Sequence, residues 1–334
     1  MSLENNFFAP VLLTVYTRLE HFIKTINALQ QNSLSKFTDL YIASDAPSAH
    51  KDSEMVSKVR VFARSIKGFK SVTLIERNIN FGVQENYFDA VKIIFSKSER
   101  VIFLQDDVLV GKEFLRFIND GLNKYNAEPS VVGICGYLPP CADNIRASPF
   151  FLHERAPYGF GMWRHKESVL ESLIGPDLIR SVLKSRKKFA TIATHSPHMI
   201  TALPLIACGN FRAGDISAAI AMRSSGLLAL YPNKSLVRNI GQDGTGENSG
   251  HNHVLQVQSY SDDLIEFCWL DLKEDLEVAA VISNYRKYPR CDLISFIIFY
   301  GYNLCPGFSW MMVFLRILRR KWRQFLRYLI KGLL

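Results

Sequence analysis

The sequence predicts an α/β fold, in which helices flank an open, mostly parallel β-sheet, and three observations support this. Four short apolar runs are each followed by polar residues, as strands buried within a parallel sheet are. Stretches with apolar residues at helical spacing separate these runs, which is the pattern of repeated βαβ units. No GxGxxG segment follows the first run and no GxxxxGK[ST] segment occurs, so Rossmann dehydrogenases and P-loop enzymes lose their main signature.

The predicted elements follow one another in order along the first 125 residues. The strands cover residues 10–16, 39–44, 71–75 and 100–104. The helices lie near residues 20–31, 51–66, 83–96 and 112–125. Because ligands bind outside the carboxyl ends of the strands in such sheets, the residues that follow each strand are candidate site residues.

The net charge of +9 is concentrated near the end of the sequence. After Asp292 there is no acidic residue, whereas the basic residues there are Arg316, Arg319, Arg320, Lys321, Arg323, Arg327 and Lys331. Apart from these seven, the number of basic residues (40 in the whole chain) is nearly equal to the number of acidic residues (31). A nearly neutral body argues against nucleic acid as a partner and for a local anionic partner of the tail.

Residues 315–333 show the pattern of a basic amphipathic helix. The apolar stripe consists of Leu315, Leu318, Trp322, Phe325, Leu329 and Leu333, and basic residues lie on the adjacent stripe. Such a helix is typical of a segment in a membrane interface; burial against the body or a partner helix is the alternative. Residues 293–315 carry no charge, but Gly, Asn and Pro interrupt them, so we interpret them as interfacial or packed helices rather than a span.

Two adjacent carboxylates, Asp106 and Asp107, close the fourth predicted strand. Paired acids at the end of a buried strand repel each other unless a cation or hydrogen-bond donors compensate. Hard divalent cations are commonly held by one or two carboxylates together with substrate phosphates. The pair therefore indicates a metal–diphosphate site, with helix capping as the alternative.

Six segments resemble, in the same order, segments of GT-A glycosyltransferases, in particular bacterial relatives of N-acetylglucosaminyltransferase I. The most specific is FLQDDVLVGKEFLRFIN, which is similar to the “EDD…s..FL.y.n” segment of that family. The others are VLLTVYTRLEHF, IASDAP, RNINFG, YGFGMW and YPNKSLVRNIGQDGTG. The resemblance covers roughly residues 8–250 and implies a GT-A (Rossmann-like) sheet. Gln105 stands where the family usually has Glu, which removes one charge.

The resemblance implies a nucleotide-sugar site and a cofactor. The nucleotide-sugar-binding residues would be Tyr16, Arg18, Asp45, Arg77, Asn80, Gly82 and Asp106. Asp107 would bind Mn²⁺ or Mg²⁺ directly, and His251 or His253 would be a further ligand. Arg77 offers a fork of donors for nucleotide oxygens, and Gly82 would let the backbone approach closely. A simple turn is the alternative for Asp45 and Gly82.

The resemblance also implies an acceptor side. Asp215, ahead of the P..SLV block, would be the general base that inverting transfer requires; a helix cap is the alternative. The glycine-rich segment with Tyr158, Phe160 and Trp163 would be a mobile loop that stacks on a sugar, or else a tight turn in the core. Asp243 would lie on the same acceptor side.

Together these features predict an inverting, metal-dependent hexosyl- or N-acetylhexosaminyl-transferase. It would move a sugar from a nucleotide-sugar donor to a hydroxyl of a glycan or glycolipid during cell-surface polysaccharide synthesis. We expect a GT-A domain at residues 1–255, with a nucleotide-sugar half (1–130) and an acceptor half (131–255). Residues 256–334 would be a helical, basic region that associates with membrane.

The expected location is the cytoplasm, peripheral on the cytoplasmic face of a membrane. The first ten residues lack the pattern of a signal peptide, and the six cysteines contain no CxxC pair. Three other functions stay open, and one of them is membrane scaffolding through the tail without catalysis. A GT-A-like nucleotidyltransferase would attack a phosphate and need no Asp215 base, and a nucleotide-sugar-binding pseudoenzyme would bind donor without turnover.

Overall fold

The computed structural model describes residues 8–209, 214–245, 252–266, 270–287, 291–305, 307–308, 311–312, 314–315 and 318. The described residues form two compact units, each made of two segments of the chain. The first lies within Met1–Leu170 and Gly226–Val278, and the second within Glu171–Ser225 and Ala279–Leu334. The predicted division into residues 1–255 and 256–334 is a functional one and stays a prediction.

The strands begin and end as follows: Val11–Val15 (β1), Asp39–Ser44 (β2), Ser71–Glu76 (β3), Arg100–Gln105 (β4), Val108–Val110 (β5), Val131–Cys135 (β6), Phe150–Leu152 (β7), Phe160–Trp163 (β8), Leu228–Tyr231 (β9) and Val237–Asn239 (β10). In the described part of the chain, eight of them form one sheet with the order β3-β2-β1-β4-β8-β6-β9-β7. Neighbours from β3 to β4 are parallel, as are β6 and β9, whereas β8 and β7 run antiparallel to their partners.

The helices are Leu19–Gln30 (α1), Ser53–Ser65 (α2), Gly82–Phe95 (α3), Phe114–Lys124 (α4), Arg164–Leu173 (α5), Pro176–Lys184 (α6), Arg186–His195 (α7), Leu203–Ala207 (α8), Gly214–Ser225 (α9), His253–Gln256 (α10), Leu276–Tyr285 (α11) and Cys291–Leu304 (α12). The predicted fold class, a mixed α/β fold with a mostly parallel central sheet, is confirmed. The four predicted strands and helices of the first 125 residues occur at their predicted places.

The order of the strands creates a switch point between β1 and β4. The chain proceeds from β1 to β2 and β3 on one side and then returns to place β4 on the other side of β1. The register pairs Thr14 with Gln105, so both strands end at the same level. Residues that follow β1 and β4 therefore meet at the edge where ligands bind in open α/β sheets.

A two-stranded ribbon covers this edge. Strand β5 follows β4 after a two-residue turn and pairs antiparallel with β10, so that Val108 lies opposite Asn239. The backbone N–H of Ile240 donates to the carbonyl oxygen of Asp107 at 2.8 Å, which extends the pairing beyond the strand. The ribbon thus brings residues 239–243 to the paired aspartates.

The segment around Trp163 corrects one expectation. It forms β8 in the middle of the sheet rather than a loop, and Phe160 and Trp163 are buried. The indole N–H of Trp163 donates to the carbonyl oxygen of Leu122 at 3.2 Å. A Cβ at Gly161 would lie 2.5 Å from Ile118, so glycine lets α4 pack closely on β8. Trp163 therefore belongs to the core, and glycine serves packing here instead of mobility.

The second unit has its own hydrophobic core. Ile179, Val182, Phe189 and Ile192 of α6 and α7 pack there together with Ile298 of α12. Among the described residues, none of the helices combines the length and apolar character needed to cross a bilayer. The predicted basic helix at 315–333 lies outside the described residues, apart from 315 and 318.

Candidate functional site

Arg18 and the two aspartates form the centre of the candidate site. The Nη2 atom of Arg18 lies 2.7 Å from Oδ1 of Asp106 and 2.7 Å from Oδ2 of Asp107. The side chains of Asp106 and Asp107 are only 8% and 9% exposed. One positive group therefore bridges two nearly buried carboxylates, and both of these carboxylates point at the same position.

Local structure explains why these three residues meet. Arg18 is the residue before the first turn of α1, just after β1, and the aspartates form the turn after β4. The Thr25 hydroxyl of α1 donates to the carbonyl oxygen of Asp106 at 2.8 Å and fastens the turn to the helix. The side chains at the switch point are thus held from both neighbouring strands.

The centre contains two carboxyl groups but only one guanidinium group between them. Burial raises the pKa of Asp106 to about 7, and the carboxylate of Asp107 adds to the increase, although Arg18 opposes it. Burial would lower the pKa of Arg18, but both aspartates raise it above the ordinary value. A second positive charge beside Asp106 would favour the ionised form of its carboxyl group, because an opposite charge lowers the pKa of an acid.

Asn239 and Gly241 form the wall beside Asp107. The Asn239 amide lies 3.4 Å from Oδ1 of Asp107, and its own Oδ1 accepts from the N–H of Gly241 at 2.9 Å. A Cβ at Gly241 would stand 1.9 Å from Oδ2 of Asp107 and 2.7 Å from Nη1 of Arg18. The backbone at Gly241 therefore lies directly against the ion pair and leaves room for no side chain.

A second acid lies two residues further along the same segment. Oδ2 of Asp243 is 3.1 Å from Nε2 of His21, which stands one helical turn after Arg18 on α1. Burial would raise the pKa of Asp243, but hydrogen bonds from the hydroxyl and N–H of Thr245, together with His21, lower it to about 2. Asp243 is therefore a fixed carboxylate near the ion-pair centre.

The donor set at the centre fits a hard divalent cation. Two carboxylates converge on the position that Arg18 Nη2 occupies, and Oδ1 of Asp107 accepts a long hydrogen bond of 3.4 Å from Asn239. One or two carboxylates are enough for Mg²⁺ or Mn²⁺ when substrate phosphates and water supply the other ligands. Among the described residues, no group of three His, Cys, Asp or Glu side chains could hold a metal alone.

Arg18 also carries an unused donor. Its Nη1 atom is buried and has no hydrogen-bond partner among the described residues. A buried donor without an acceptor is costly, and a bound oxygen would remove that cost. The centre thus offers carboxylates for a cation and a guanidinium N–H for an anion side by side.

The predicted nucleotide residues near β2 and β3 lie close together, but protein groups already bind them. The Asp45 carboxylate accepts from the N–H groups of Ala46, Phe81 and Gly82, each at 2.8 Å. Gly82 has a φ of +75°, and a Cβ there would meet nothing within 4 Å. This left-handed backbone conformation by itself favours glycine, and close approach of the Gly82 backbone to a nucleotide stays a prediction.

Three other residues that were predicted to bind the nucleotide also form hydrogen bonds or ion pairs with protein groups. Arg77 donates to Asn86 at 2.9 Å and pairs with Asp89 at 2.6 Å. Asn80 donates to the carbonyl oxygen of Ala46 at 2.6 Å, and the Tyr16 hydroxyl donates to Asp52 at 2.9 Å. These residues fix the walls of the β1–β3 edge, and direct contact with a nucleotide stays a prediction for each of them.

The remaining predicted residues are spread over both units. Asp215 is exposed in the first turn of α9, within the second unit. His253 is exposed at the start of α10, and His251 lies outside the described residues. Tyr158 is partly exposed, and its ring meets that of Tyr137 edge-on at 5.0 Å.

Sequence reasoning missed His21, Asn239 and Gly241. All three lie within segments that carry the family resemblance, but nothing in a three-residue strand such as β10 predicts its partner. His21 could have been found from its spacing, since it lies three residues after Arg18 on the same helix.

The comparisons with known proteins include three solved structures of low sequence identity. No protein-family model matches the chain, and no curated protein does. S. aureus TarS is 14% identical over 50% of this chain and 30% of its own, with a TM-score of 0.36. S. aureus TarS 1-349 is 14% identical over 55% and 53%, with a TM-score of 0.35. The mannosyltransferase PcManGT from Pyrobaculum calidifontis, in complex with GDP-Man and Mn²⁺, is 12% identical over 65% and 68%, with a TM-score of 0.38.

This chain spans less than a third of the TarS chain that it matches. Similarity at these identities and TM-scores assigns no activity to the chain. Its function is therefore inferred from its own residues.

Proposed function

We propose that this protein is an inverting, metal-dependent glycosyltransferase with a nucleotide-sugar donor. The observation that carries the proposal is the centre at the switch point, where two buried carboxylates converge beside the unused Nη1 of Arg18. A nucleoside diphosphate with a divalent cation has the complementary charges. The order of six segments that resemble GT-A glycosyltransferases supports the same conclusion.

In this proposal Asp107 holds Mn²⁺ or Mg²⁺, which would neutralise charge on the leaving diphosphate. Asp106 approaches the ribose, and Arg18 turns its free donor toward a phosphate oxygen. Asn239 and the backbone of Gly241 keep the Asp107 carboxylate in place. The proposed further ligand is either His253 or His251, and His251 lies outside the described residues.

The chemistry needs a base on the acceptor side. The acceptor hydroxyl oxygen bonds to the anomeric carbon while the bond from that carbon to the diphosphate oxygen breaks. Asp215 takes the hydroxyl proton, and the diphosphate leaves with the bonding electron pair. Asp243 is the other candidate, because its low pKa keeps it ionised, although an acid of such low pKa is a weak base.

We also propose an acceptor carried by a membrane, as a glycan or glycolipid. The absence of acidic residues after Asp292 and the seven basic residues there would hold the protein on an anionic cytoplasmic leaflet. Tail attachment places the enzyme beside such an acceptor and does not require a span.

The proposal is tested by incubating the protein with a panel of nucleotide-sugars and measuring released nucleoside diphosphate, with and without Mn²⁺. Release from one donor that needs Mn²⁺ and rises with a glycan or glycolipid acceptor is the expected result. Release of pyrophosphate from a sugar phosphate and a nucleoside triphosphate would instead indicate a nucleotidyltransferase. Donor binding without any release would indicate a pseudoenzyme.

A further inference from the structure

Helix α12 has apolar residues on two sides, and only one of them faces the core. Ile298 is buried in the second unit, and the Phe299 ring packs 5.2 Å from Phe189. The opposite side, which we call the outer face, consists of Leu293, Phe296, Ile297, Tyr300 and Leu304. These positions recur at helical spacing, so they form one continuous stripe along the helix.

The outer face is strongly exposed. Phe296 is 59% exposed and Leu304 is 79% exposed, and the rings of Phe296 and Tyr300 lie 4.4 Å apart on the surface. No charged residue occurs in the sequence from 293 to 315. A contiguous exposed apolar stripe of this kind marks an interaction site in a soluble protein.

Four basic side chains lie beside one end of this stripe. Asn303 of α12 donates to the carbonyl oxygen of Leu183 at 2.9 Å, which brings the end of α12 to the turn between α6 and α7. Around this turn stand the exposed residues Lys184, Arg186, Lys187 and Lys188, which we call the cationic rim. Among the described residues, none of the four forms an ion pair with a carboxylate.

We propose that the outer face of α12 and the cationic rim together form a surface that docks on an anionic lipid bilayer. In a membrane interface, the apolar and aromatic side chains would contact the lipid acyl chains, and the adjacent basic side chains would contact the lipid phosphate groups. In the sequence, the next basic residue after the helix is Arg316, and no acidic residue follows it.

Lipid fits this surface better than a second copy of the chain does. A stable protein interface takes about 20–30 residues from each side, whereas the outer face has five side chains on one helix. A basic rim would also repel the same rim of a second copy. The docking surface extends the proposed membrane attachment to described residues, and it does not require sugar transfer.

The test uses the full chain and vesicles of phosphatidylcholine with or without phosphatidylglycerol, and no donor is added. We expect the protein to float with anionic vesicles. Phe296→Glu/Leu304→Glu should lower the partition coefficient at least tenfold, since two charges would enter the apolar layer. Val61→Glu is the matched control, because Val61 is 62% exposed on α2 of the other unit.

A separate variant tests the contribution of the cationic rim to vesicle binding. Lys184→Gln/Lys187→Gln should weaken binding to anionic vesicles by about fivefold per residue. The loss should shrink in high salt, because salt screens exposed charges. All substituted side chains are exposed, so melting temperatures should stay close to that of the unmodified protein.

Four outcomes would overturn the proposal. The first is an unmodified protein that binds neither kind of vesicle, and the second is a Phe296→Glu/Leu304→Glu variant that binds as the unmodified protein does. The third is a Phe296→Glu/Leu304→Glu variant that is a monomer in light scattering, where the unmodified protein is a dimer, but still binds vesicles. In that case the outer face would be a contact between two copies of the chain. If Arg319→Gln/Arg320→Gln/Lys321→Gln alone abolished binding while the α12 variant did not, attachment would belong to the tail alone. None of these results depends on sugar transfer.

Discussion

The carboxylate of Asp107 is fixed from three directions by groups that cannot easily move. Arg18 holds one oxygen at 2.7 Å, Asn239 approaches the other, and the Gly241 backbone closes the remaining side. These contacts hold the Asp107 carboxylate in place before a ligand binds, and a cation between the two aspartates would take the position that Arg18 Nη2 occupies. The site therefore depends on a glycine as much as on its charged residues.

Replacement of Gly241 by Ala tests this dependence. The new Cβ would lie 1.9 Å from Asp107, so the carboxylate or the strand end must shift. We expect a loss of about 1–3 kcal/mol in unfolding free energy and at least a tenfold weaker donor affinity in calorimetry. Gly175→Ala is the control, because a Cβ there meets nothing within 4 Å. Equal donor affinity of the Gly241 and Gly175 variants would contradict this account.

Asp215 can be separated from a helix cap by kinetics. If it is the base, Asp215→Asn should lower kcat by roughly 10²–10⁴ and leave donor affinity unchanged. Asp177→Asn is the matched control, since Asp177 is also an exposed acid in the first turn of a helix of the same unit. Similar small effects of both substitutions on kcat would show that Asp215 is not the base, and Asp243 would become the candidate base.

At the scale of single residues, the sequence predicted the paired aspartates but not their neighbours. Adjacent acids after a buried strand are visible in one segment, whereas Gly241 reaches them only through the pairing of β5 with β10. For Asp45 the turn that the sequence left open is present, since its carboxylate binds three backbone N–H groups. A one-dimensional pattern cannot distinguish a carboxylate that binds a ligand from one that binds its own chain.

Among whole elements, the early strands and helices were predicted well because each has a strong local signal. In β1 all residues except Thr14 are buried, and α1 buries Phe22, Ile26 and Leu29 at helical spacing. Strand β8 was mistaken for a loop because its glycines suggested mobility. They instead let α4 approach the sheet, which is a property of packing that no local pattern reveals.

The junction between α4 and β6 depends on one buried ammonium group. Lys166 of α5 donates to the carbonyl oxygens of Tyr125, Glu128 and Val131 at 2.6, 2.8 and 3.0 Å. Lys166→Met should cost roughly 1–3 kcal/mol, because carbonyl groups buried at the end of α4 lose their donor. Denaturant titration gives this value, and Lys58→Met, at an exposed i,i+4 pair, should cost less than about 1 kcal/mol. Similar costs for both would show that Lys166 is dispensable.

Across the whole molecule, the sequence predicted the α/β class but not the discontinuous units. The second unit combines residues 171–225 with residues after 278, and helix α12 supplies Ile298 to its core. Composition alone had suggested only a helical tail after residue 255. Contacts between segments more than a hundred residues apart, such as Asn303 with Leu183, leave no trace in local composition.

The central claim is that Asp107 makes donor binding depend on a divalent cation. Thermal unfolding of the protein and of Asp107→Ala can be measured with a panel of nucleotide-sugars, with Mn²⁺ or with EDTA. A ligand at a hundred times its Kd stabilises the native state by about 2.7 kcal/mol. One donor should therefore raise the melting temperature of the unmodified protein in Mn²⁺ only, while Asp107→Ala unfolds normally and shows no increase. Equal stabilisation of both proteins, with and without EDTA, would contradict the claim.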